Sequence, residues 1–277
     1  TNHWSTSSGG AGGADNTPTT TTNVIFDNLS DTGGANFTVT VNATANCANM
    51  DWSAVDITAS VLKMDAGFNI NVYGNFVGDA SLSFTQNYQY FMNFKATSGT
   101  KTITTNGAKV GQWNFDGVGG TWQLQDTVDM TSLSNPYGKS IDLSNGTLDM
   151  NNQTINIVAT GLNQYGGYIH LNATTNTRSF VMGTGTINYT GDNIMFQNDQ
   201  MTGMTLSAAS GTLNFINAGT YGSATLFLGG ATATWGTVHV SGRGNTSFEQ
   251  AFNCTNFTFH DVGAYIDGII TLKGNIT

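Results

Sequence analysis

The chain has 277 residues, of which only 9% are charged, and it carries a formal net charge of −9 with 8 lysine and arginine residues. This charge has the wrong sign for a nucleic-acid-binding protein, which needs clustered basic side chains to displace counterions from phosphates. No run of 18 apolar residues is present, so we expect no membrane insertion. Low charge with 39% hydrophobic residues also argues against disorder, because disordered chains combine high charge with few apolar residues.

The N-terminal segment, residues 1–22, is rich in Gly, Ser and Thr and contains one large apolar residue, Trp4. Such a segment cannot form a core alone, so we expect an irregular cap or loop ahead of a domain at 23–277. The first methionine is Met50, and we therefore expect Thr1 to be an interior position of a longer or processed polypeptide.

Short strand patterns begin at Asn23 and continue to the end of the chain. The clearest is Phe37–Val41, whose strict alternation predicts a strand with Phe37, Val39 and Val41 facing inward. Further strands are predicted at Val24–Phe26, Ile70–Val72, Leu82–Phe84, Trp113–Phe115, Trp122–Leu124, Ile141–Leu143, Ile155–Ile157, Ile169–Leu171, Leu226–Leu228, Phe257–Phe259 and Ile270–Leu272. No stretch shows a sustained helical period, so the sequence predicts an all-β protein.

A Gly-Thr turn followed by alternating apolar residues recurs along the chain, at Gly120, Gly146, Gly185, Gly211 and Gly236. The five copies are separated by 26, 39, 26 and 25 residues, which indicates a repeat of about 25 residues with one longer coil. Propeller blades need longer repeats of about 40–50 residues, and sandwiches have no internal period. We therefore predict an all-β, single-domain parallel β-helix (β-solenoid) with coils of about 25 residues.

The two cysteines, Cys47 and Cys254, lie near opposite ends of the predicted stack. Coils about 4.8 Å apart would separate them by tens of ångströms, whereas a disulfide needs Cα atoms within about 7 Å. We predict two buried free thiols that fill core space.

Carboxylates are the first candidates for catalysis, because cleavage of a polysaccharide needs two carboxyl groups about 5–10 Å apart. Asp126, Asp129, Asp142 and Asp149 lie on two consecutive predicted coils and are the candidates to meet on one face. Asp also forms turns and solvates strand edges, and we favour that role. A calcium-assisted lyase would use Lys139 beside Asp142, but this lysine follows a turn and is interpreted as a solvated loop residue. We predict a protein that is not an enzyme.

Histidines offer no metal site in the sequence, since His3, His170, His239 and His260 are scattered with no pair at ligand spacing. His170 and His239 occupy outward positions of their predicted strands and are interpreted as surface residues. No phosphate loop or nucleophile elbow is present, and we expect neither a metal nor a cofactor.

Aromatic residues supply the candidate binding sites, because exposed aromatic patches mark interaction surfaces. One cluster contains Tyr88 and Tyr90, and a second contains Tyr165 and Tyr168 around a Gly-Gly pair. We predict these four tyrosines as glycan- or partner-binding residues, with packing between subunits as the alternative.

Threonine pairs of the form Thr-x-Thr occur at Thr38, Thr102 and Thr232. Regular rows of such pairs would indicate an ice-binding face. The pairs do not recur once per coil at matching positions, so the sequence does not predict such a face.

Several segments resemble β-helical repeat proteins of phage virion appendages, which are related to environmental viral and bacterial surface β-solenoids. The similarity lies in His3–Ala14, Asn23–Asp27, Gly120–Asp126, Gly146–Thr154 and Trp235–Gly242. It implies a tail- or capsid-associated fibre or spike, or a cell-surface adhesin, and it supplies no catalytic residues.

Together these observations predict a structural virion protein that acts as a rigid spacer and host-attachment surface, located on the virion surface or outside the cell. A bacterial cell-surface adhesin or extracellular fibre subunit is the first alternative, and a glycan depolymerase is the second. The expected partners are further copies of the chain, possibly as a trimer, other virion or surface proteins, and a host surface glycan or protein. Self-association is expected because solenoid ends expose unpaired strand backbone.

Overall fold

The computed structural model describes residues 4–13, 16–30, 36–56, 59–64, 67–86, 90–130, 139–159, 167–171, 176–191, 193–198, 200–218, 223–229, 232–242, 245–260 and 270–272. The chain forms a parallel β-solenoid with about 26 residues per turn. The described residues contain no α-helix. The predicted fold class and period are therefore confirmed.

The strands are short and follow one another closely along the chain. They are β1 (Val24–Asp27), β2 (Asn36–Val41), β3 (Ala45–Cys47), β4 (Met50–Ala54), β5 (Ala59–Met64), β6 (Ile70–Val72), β7 (Phe76–Val77), β8 (Leu82–Gln86), β9 (Met92–Phe94), β10 (Thr100–Thr104), β11 (Trp113–Leu124), β12 (Val128–Met130), β13 (Lys139–Asp149), β14 (Thr154–Ala159), β15 (Tyr168–His170), β16 (Arg178–Val181), β17 (Thr186–Gly191), β18 (Asn193–Gln197), β19 (Met204–Asn217), β20 (Ser223–Phe227), β21 (Thr234–Gly242), β22 (Asn245–Phe248), β23 (Asn253–His260) and β24 (Ile270–Leu272).

These strands stack coil upon coil into three faces. Face 1 contains, in stacking order, β3, β6, β9, the start of β11, the start of β13, β15, β18, β20, β22 and β24. Face 2 contains β1, β4, β7, β10, the ends of β11 and β13, β16 and the start of β19. Face 3 contains β2, β5 and β8 and later β12, β14, β17, the end of β19, β21 and β23.

The core fills the space between the three faces. Along each strand, buried apolar residues alternate with outward polar residues, as Ile70, Asn71 and Val72 do in β6. The four tryptophans of the core, Trp52, Trp113, Trp122 and Trp235, are at most 1% exposed. Aromatic rings also continue from coil to coil, because Phe94 of β9 and Phe115 of β11 pair in register and stack with centroids 5.0 Å apart. Burial of such side chains contributes roughly 1.5–3 kcal/mol each.

The Gly-Thr repeat marks corners of the solenoid where successive coils approach closely. A Cβ at Gly146, which has a φ of +72°, would overlap the carbonyl oxygen of Gly117 one coil earlier. A Cβ at Gly236 would meet the carbonyl oxygen of Gly211 in the same way. Glycine recurs at these corners because a side chain would push the coils apart.

The interpretation of the 39-residue gap as one longer coil is incomplete. The first two copies of the repeat belong to face 2, where Thr121 pairs with Thr147. The last three belong to face 3, where Thr186 pairs with Thr212 and Thr212 with Thr237. The coil between the second and third copies is long, since Asn156 and Asn188 are stacked neighbours 32 residues apart. The remaining residues of the gap are accounted for by the shift of the repeat from face 2 to face 3.

The N-terminal segment lies against the first coil. Trp4 packs on Phe26 of β1 with ring centroids 6.1 Å apart, and Phe26 in turn stacks on Trp52 of β4 at 3.8 Å. The main-chain N–H of Gly13 donates to the carbonyl of Trp4 at 2.8 Å, which closes this segment into a loop.

The predicted strands all coincide with strands of the structure, although Ile169–Leu171 and Leu226–Leu228 each extend one residue too far. In β2, Val41 is buried and Val39 half-buried, while the side chain of Phe37 lies outside the described residues. Both cysteines are free, as predicted, and Cys47 is buried. The prediction for Cys254 is wrong: it is half-buried, because within the described residues its strand, β23, has a pairing partner, β21, on one side only.

Within the residues that the structure describes, no helix has the length and apolar character needed to cross a bilayer.

Truncation of the stacked aromatic core should destabilise the fold strongly. Phe115→Ala removes a fully buried ring and should lower the free energy of unfolding by about 3–5 kcal/mol, measured by urea unfolding. Val118→Ala in the same strand is the matched control, because Val118 is 65% exposed and the change should stay within about 0.5 kcal/mol. Equal effects of the two substitutions would contradict the assigned core.

Candidate functional site

An amide ladder occupies the outward side of face 1. Asn46, Asn71, Asn93 and Asn114 stack on successive coils. Each Nδ2 donates to the Oδ1 of the asparagine one coil earlier, at 3.0, 2.9 and 3.0 Å. The same orientation at every step lets the hydrogen bonds polarise one another.

The ladder changes from amides to charged groups at the next two coils. Asp142 of β13 stacks on Asn114, and His170 of β15 stacks on Asp142. Asp142 Oδ1 lies 2.7 Å from His170 Nδ1, and Asp142 Oδ2 lies 2.7 Å from Lys139 Nζ. Tyr168, two residues before His170, sets its ring against the imidazole with centroids 5.8 Å apart at 88°. We call Lys139, Asp142, Tyr168 and His170 the Asp142 cluster.

Strand register and local contacts hold the cluster in place. Lys139 pairs with Tyr168 at the start of β13 and β15, and a register shift follows before Ile141 pairs with Ile169. Ser140 lies between Lys139 and Asp142 in β13, and its buried hydroxyl donates to the carbonyl of Gly167 at 2.8 Å. This bond ties the beginnings of the two strands together.

The electrostatics of the cluster follow from partial burial and opposite charges. Burial by itself raises the pKa of Asp142, but the hydrogen bond from His170 and the charge of Lys139 outweigh it and hold the pKa below the usual 3.8. Burial, and then the negative charge of Asp142, raise the pKa of Tyr168, so its phenol keeps its proton at neutral pH.

The protonation pattern defines what the cluster can do chemically. Because an ionised carboxylate only accepts hydrogen bonds, His170 Nδ1 must be the donor to Asp142, which leaves Nε2 for another partner. Tyr168 adds a phenol that can donate and an aromatic ring. The cluster therefore offers a fixed imidazole, a phenol and a ring to a polar ligand.

Of the four predicted binding tyrosines, the structure describes Tyr90 and Tyr168, one from each predicted cluster. Tyr88 and Tyr165 lie outside the described residues. Tyr90 is half-buried just before β9, and Tyr168 is half-buried in β15. β9 and β15 are separated on face 1 by β11 and β13, so the two tyrosines stand roughly 14 Å apart along the stack.

Two interpretations of single residues are corrected. His170 is not an ordinary surface histidine, because its side chain is only 14% exposed and it binds Asp142. Lys139 is not a solvated loop residue, because it begins β13 and pairs with the same carboxylate. Sequence reasoning missed the pair because the two partners are 28 residues apart; that separation, close to one coil, is the signal that would have indicated it.

The four candidate aspartates do not meet on one face. Asp129 lies on face 3 and accepts a hydrogen bond from Asn156 Nδ2 at 2.7 Å, whereas Asp142 lies on face 1. Asp126 accepts from the main-chain N–H of Thr105 at 2.8 Å, and so serves a turn. Asp149 similarly accepts from the N–H of Asn151 at 2.8 Å. The turn and strand-edge role that we favoured accounts for Asp126 and Asp149.

A second regular surface covers face 3. Its strands β14, β17, the end of β19 and β21 pair in register for six consecutive residues at each step. This places a threonine column beside an asparagine column. The threonine column is Thr154, Thr186, Thr212 and Thr237, and the asparagine column is Asn156, Asn188 and Asn214, continued by His239. We call these two columns the Thr/Asn array.

The Thr-x-Thr pairs at Thr38, Thr102 and Thr232 take no part in the array, but single threonines do recur at matching positions. They recur once per coil, in the pattern Thr-x-Asn rather than Thr-x-Thr. The asparagine column is a second amide ladder, since Asn188 donates to Asn156 and Asn214 to Asn188, both at 2.8 Å. The sequence carried this signal in the residues after each Gly-Thr turn, but assigning the copies to one face required the register.

A search for groups of three or more His, Cys, Asp or Glu side chains that could hold a metal finds none within the described residues. Compared with known proteins, the chain matches no family model, no curated protein and no solved structure. The site must therefore be judged from its own geometry.

Replacement of the central carboxylate should weaken the cluster and change its response to acid. At pH 7, Asp142→Asn should lower the free energy of unfolding by about 1–3 kcal/mol, because one of the two charge-assisted hydrogen bonds loses its acceptor and the other keeps only a neutral one. Since the pKa of Asp142 is lowered on folding, its stabilisation is complete above the unfolded value and is lost as pH falls through the folded value. The difference from the unmodified protein should therefore shrink in acid, measured by urea unfolding across pH.

The matched control is Asp56→Asn, because Asp56 is exposed in the turn after β4. It should change stability by no more than about 0.5 kcal/mol. An Asp142→Asn protein as stable as this control at pH 7 would contradict the assigned cluster.

Proposed function

We propose that this protein is a structural surface appendage that acts as a rigid spacer and an attachment surface. The observation that supports the proposal best is the unbroken parallel stacking on face 1 from β3 to β24. Each step advances the stack by about 4.8 Å. Bending the stack at any step would break backbone hydrogen bonds and open the apolar core together, so the rod is stiff.

The Asp142 cluster supports the attachment role. It gathers an imidazole nitrogen, a phenol and an aromatic ring on face 1, directly after the amide ladder from Asn46 to Asn114. Such groups hold a neutral polar ligand by hydrogen bonds and ring contact. A host surface glycan or protein is the ligand class we propose.

The proposed setting is a phage tail- or capsid-associated fibre or spike, assembled from several copies of the chain and other virion proteins. A bacterial cell-surface adhesin or fibre subunit has the same geometry and is the alternative setting. Immunogold electron microscopy with an antibody against the chain separates them. Labelling of purified virions is expected, and labelling confined to a bacterial envelope would overturn the virion setting.

Attachment should depend on the half-buried ring of Tyr168. Tyr168→Ala should reduce binding of the labelled protein to host cells, while circular dichroism shows an unchanged β signal. Tyr73→Ala is the matched control, because Tyr73 is a half-buried tyrosine that follows β6 on the same face. Unchanged binding by the Tyr168→Ala protein would overturn this assignment of the attachment site.

The same preparation tests whether the protein is an enzyme. The unmodified chain is incubated with host capsular polysaccharide, and reducing ends and unsaturated sugars are measured. We expect neither product. Product that disappears in the Asp142→Asn protein would replace the structural proposal with a glycan depolymerase.

A further inference from the structure

The Thr/Asn array on face 3 has a chemical character different from that of face 1. The outward residues of β14, β17, the end of β19 and β21 are threonine, asparagine, valine, isoleucine, histidine and serine, with no lysine, arginine, aspartate or glutamate. The large aromatic residues of these strands, Tyr189, Phe215 and Trp235, are fully buried. A surface without Lys, Arg, Asp or Glu, whose one outward ring in these strands is the imidazole of His239, is unsuited to phosphates, nucleic acids or ring-stacked sugars.

The array is periodic in two directions. No register shift interrupts the six paired residues between β14 and β17 or between β17 and β19, so the columns remain straight. Neighbouring strands lie about 4.7–4.9 Å apart, and outward residues two positions apart along a strand lie about 6.6 Å apart. The surface therefore presents a regular grid of side chains.

Three of the four threonines of the grid offer a hydroxyl and a methyl group to solvent, whereas the hydroxyl of Thr237 accepts a hydrogen bond from Asn256 Nδ2 at 3.4 Å. Within the described part of the chain, no side-chain hydrogen bond engages the hydroxyls of Thr154, Thr186 and Thr212, which are all half-buried. A third outward column adds the aliphatic side chains of Val158 and Ile216, 38% and 40% exposed. Hydroxyls that can anchor water thus alternate with apolar groups that cannot.

The amide ladder fixes the polar groups beside the threonines. Each asparagine uses one N–H to reach the oxygen of its neighbour one coil earlier, so every amide has the same orientation. The second N–H of each amide remains for solvent. Because the ladder holds these side chains in one conformation, binding to the grid would lose little side-chain entropy.

A partner that matches this grid must itself be uncharged and periodic. In a tetrahedral water lattice with hydrogen bonds of about 2.8 Å, next-nearest oxygens lie about 4.5 Å apart. The strand spacing exceeds that distance by about 0.3 Å, so the mismatch across four strands reaches only about 1 Å. We propose that the Thr/Asn array binds the surface of ice.

This activity belongs to a face distinct from the Asp142 cluster and holds or fails independently of the attachment role. It is tested with the purified chain by thermal hysteresis and by partition into a slowly growing ice hemisphere. Thr212→Tyr places a bulky ring in the middle of the grid, where β-propensity tolerates it. The matched control is Thr147→Tyr, because Thr147 is a half-buried outward threonine at the equivalent place in the Gly-Thr repeat on face 2.

The unmodified protein and the Thr147→Tyr protein should both show hysteresis and enter the ice, while the Thr212→Tyr protein should lose both properties. Thermal unfolding confirms that all three are folded. Absence of ice activity in the unmodified protein overturns the proposal, as does equal loss in both variants. A dimer that Thr212→Tyr dissociates, in a protein without ice activity, would assign face 3 to contact between two copies of the chain.

Discussion

In-register parallel stacking is the constraint on which the rest of this structure depends. Every residue in a strand lies beside the residue about one coil earlier and the residue about one coil later. Each side chain must therefore be compatible with the side chains stacked on both sides of it. Inside, this produces continuous apolar stacks such as Met92, Trp113 and Ile141 on face 1. Outside, it produces the asparagine and threonine columns, because an amide satisfies a second amide with the same geometry at every step.

The same constraint explains the scarcity of charge. Like charges stacked about 4.8 Å apart would repel one another along the whole rod, and the 9% of charged residues in this chain is well below the average of about 25% for globular domains. Two of the ionised groups that do enter a column have a complementary neighbour. Asp142 stacks under His170, and Asp129 ends the amide ladder of face 3 by accepting from Asn156.

The two candidate surfaces lie on the same solenoid but differ in how regular their outward residues are. On face 1 the amide ladder ends at Asn114 and is followed by Lys139, Asp142 and His170, which concentrates chemically different groups at one place. On face 3 the ladder from Asn156 to Asn214 continues without interruption, which creates uniformity instead. A ligand of irregular chemistry suits the first surface, and a periodic one suits the second.

The sequence by itself determined the all-β class, the period, most strand positions and the free state of both cysteines, because alternation and Gly-Thr turns are local signals. It also indicated Tyr168, but neither its partners nor the threonine column. Coils here vary in length, with stacked neighbours such as Asn93 and Asn114 21 residues apart and Asn156 and Asn188 32 apart. With such variation, counting along the chain cannot assign a residue to a face. Only the tertiary register decided that Asp142 meets His170 and that Thr186 follows Thr154, because backbone pairing between coils, not sequence distance, sets which side chains touch.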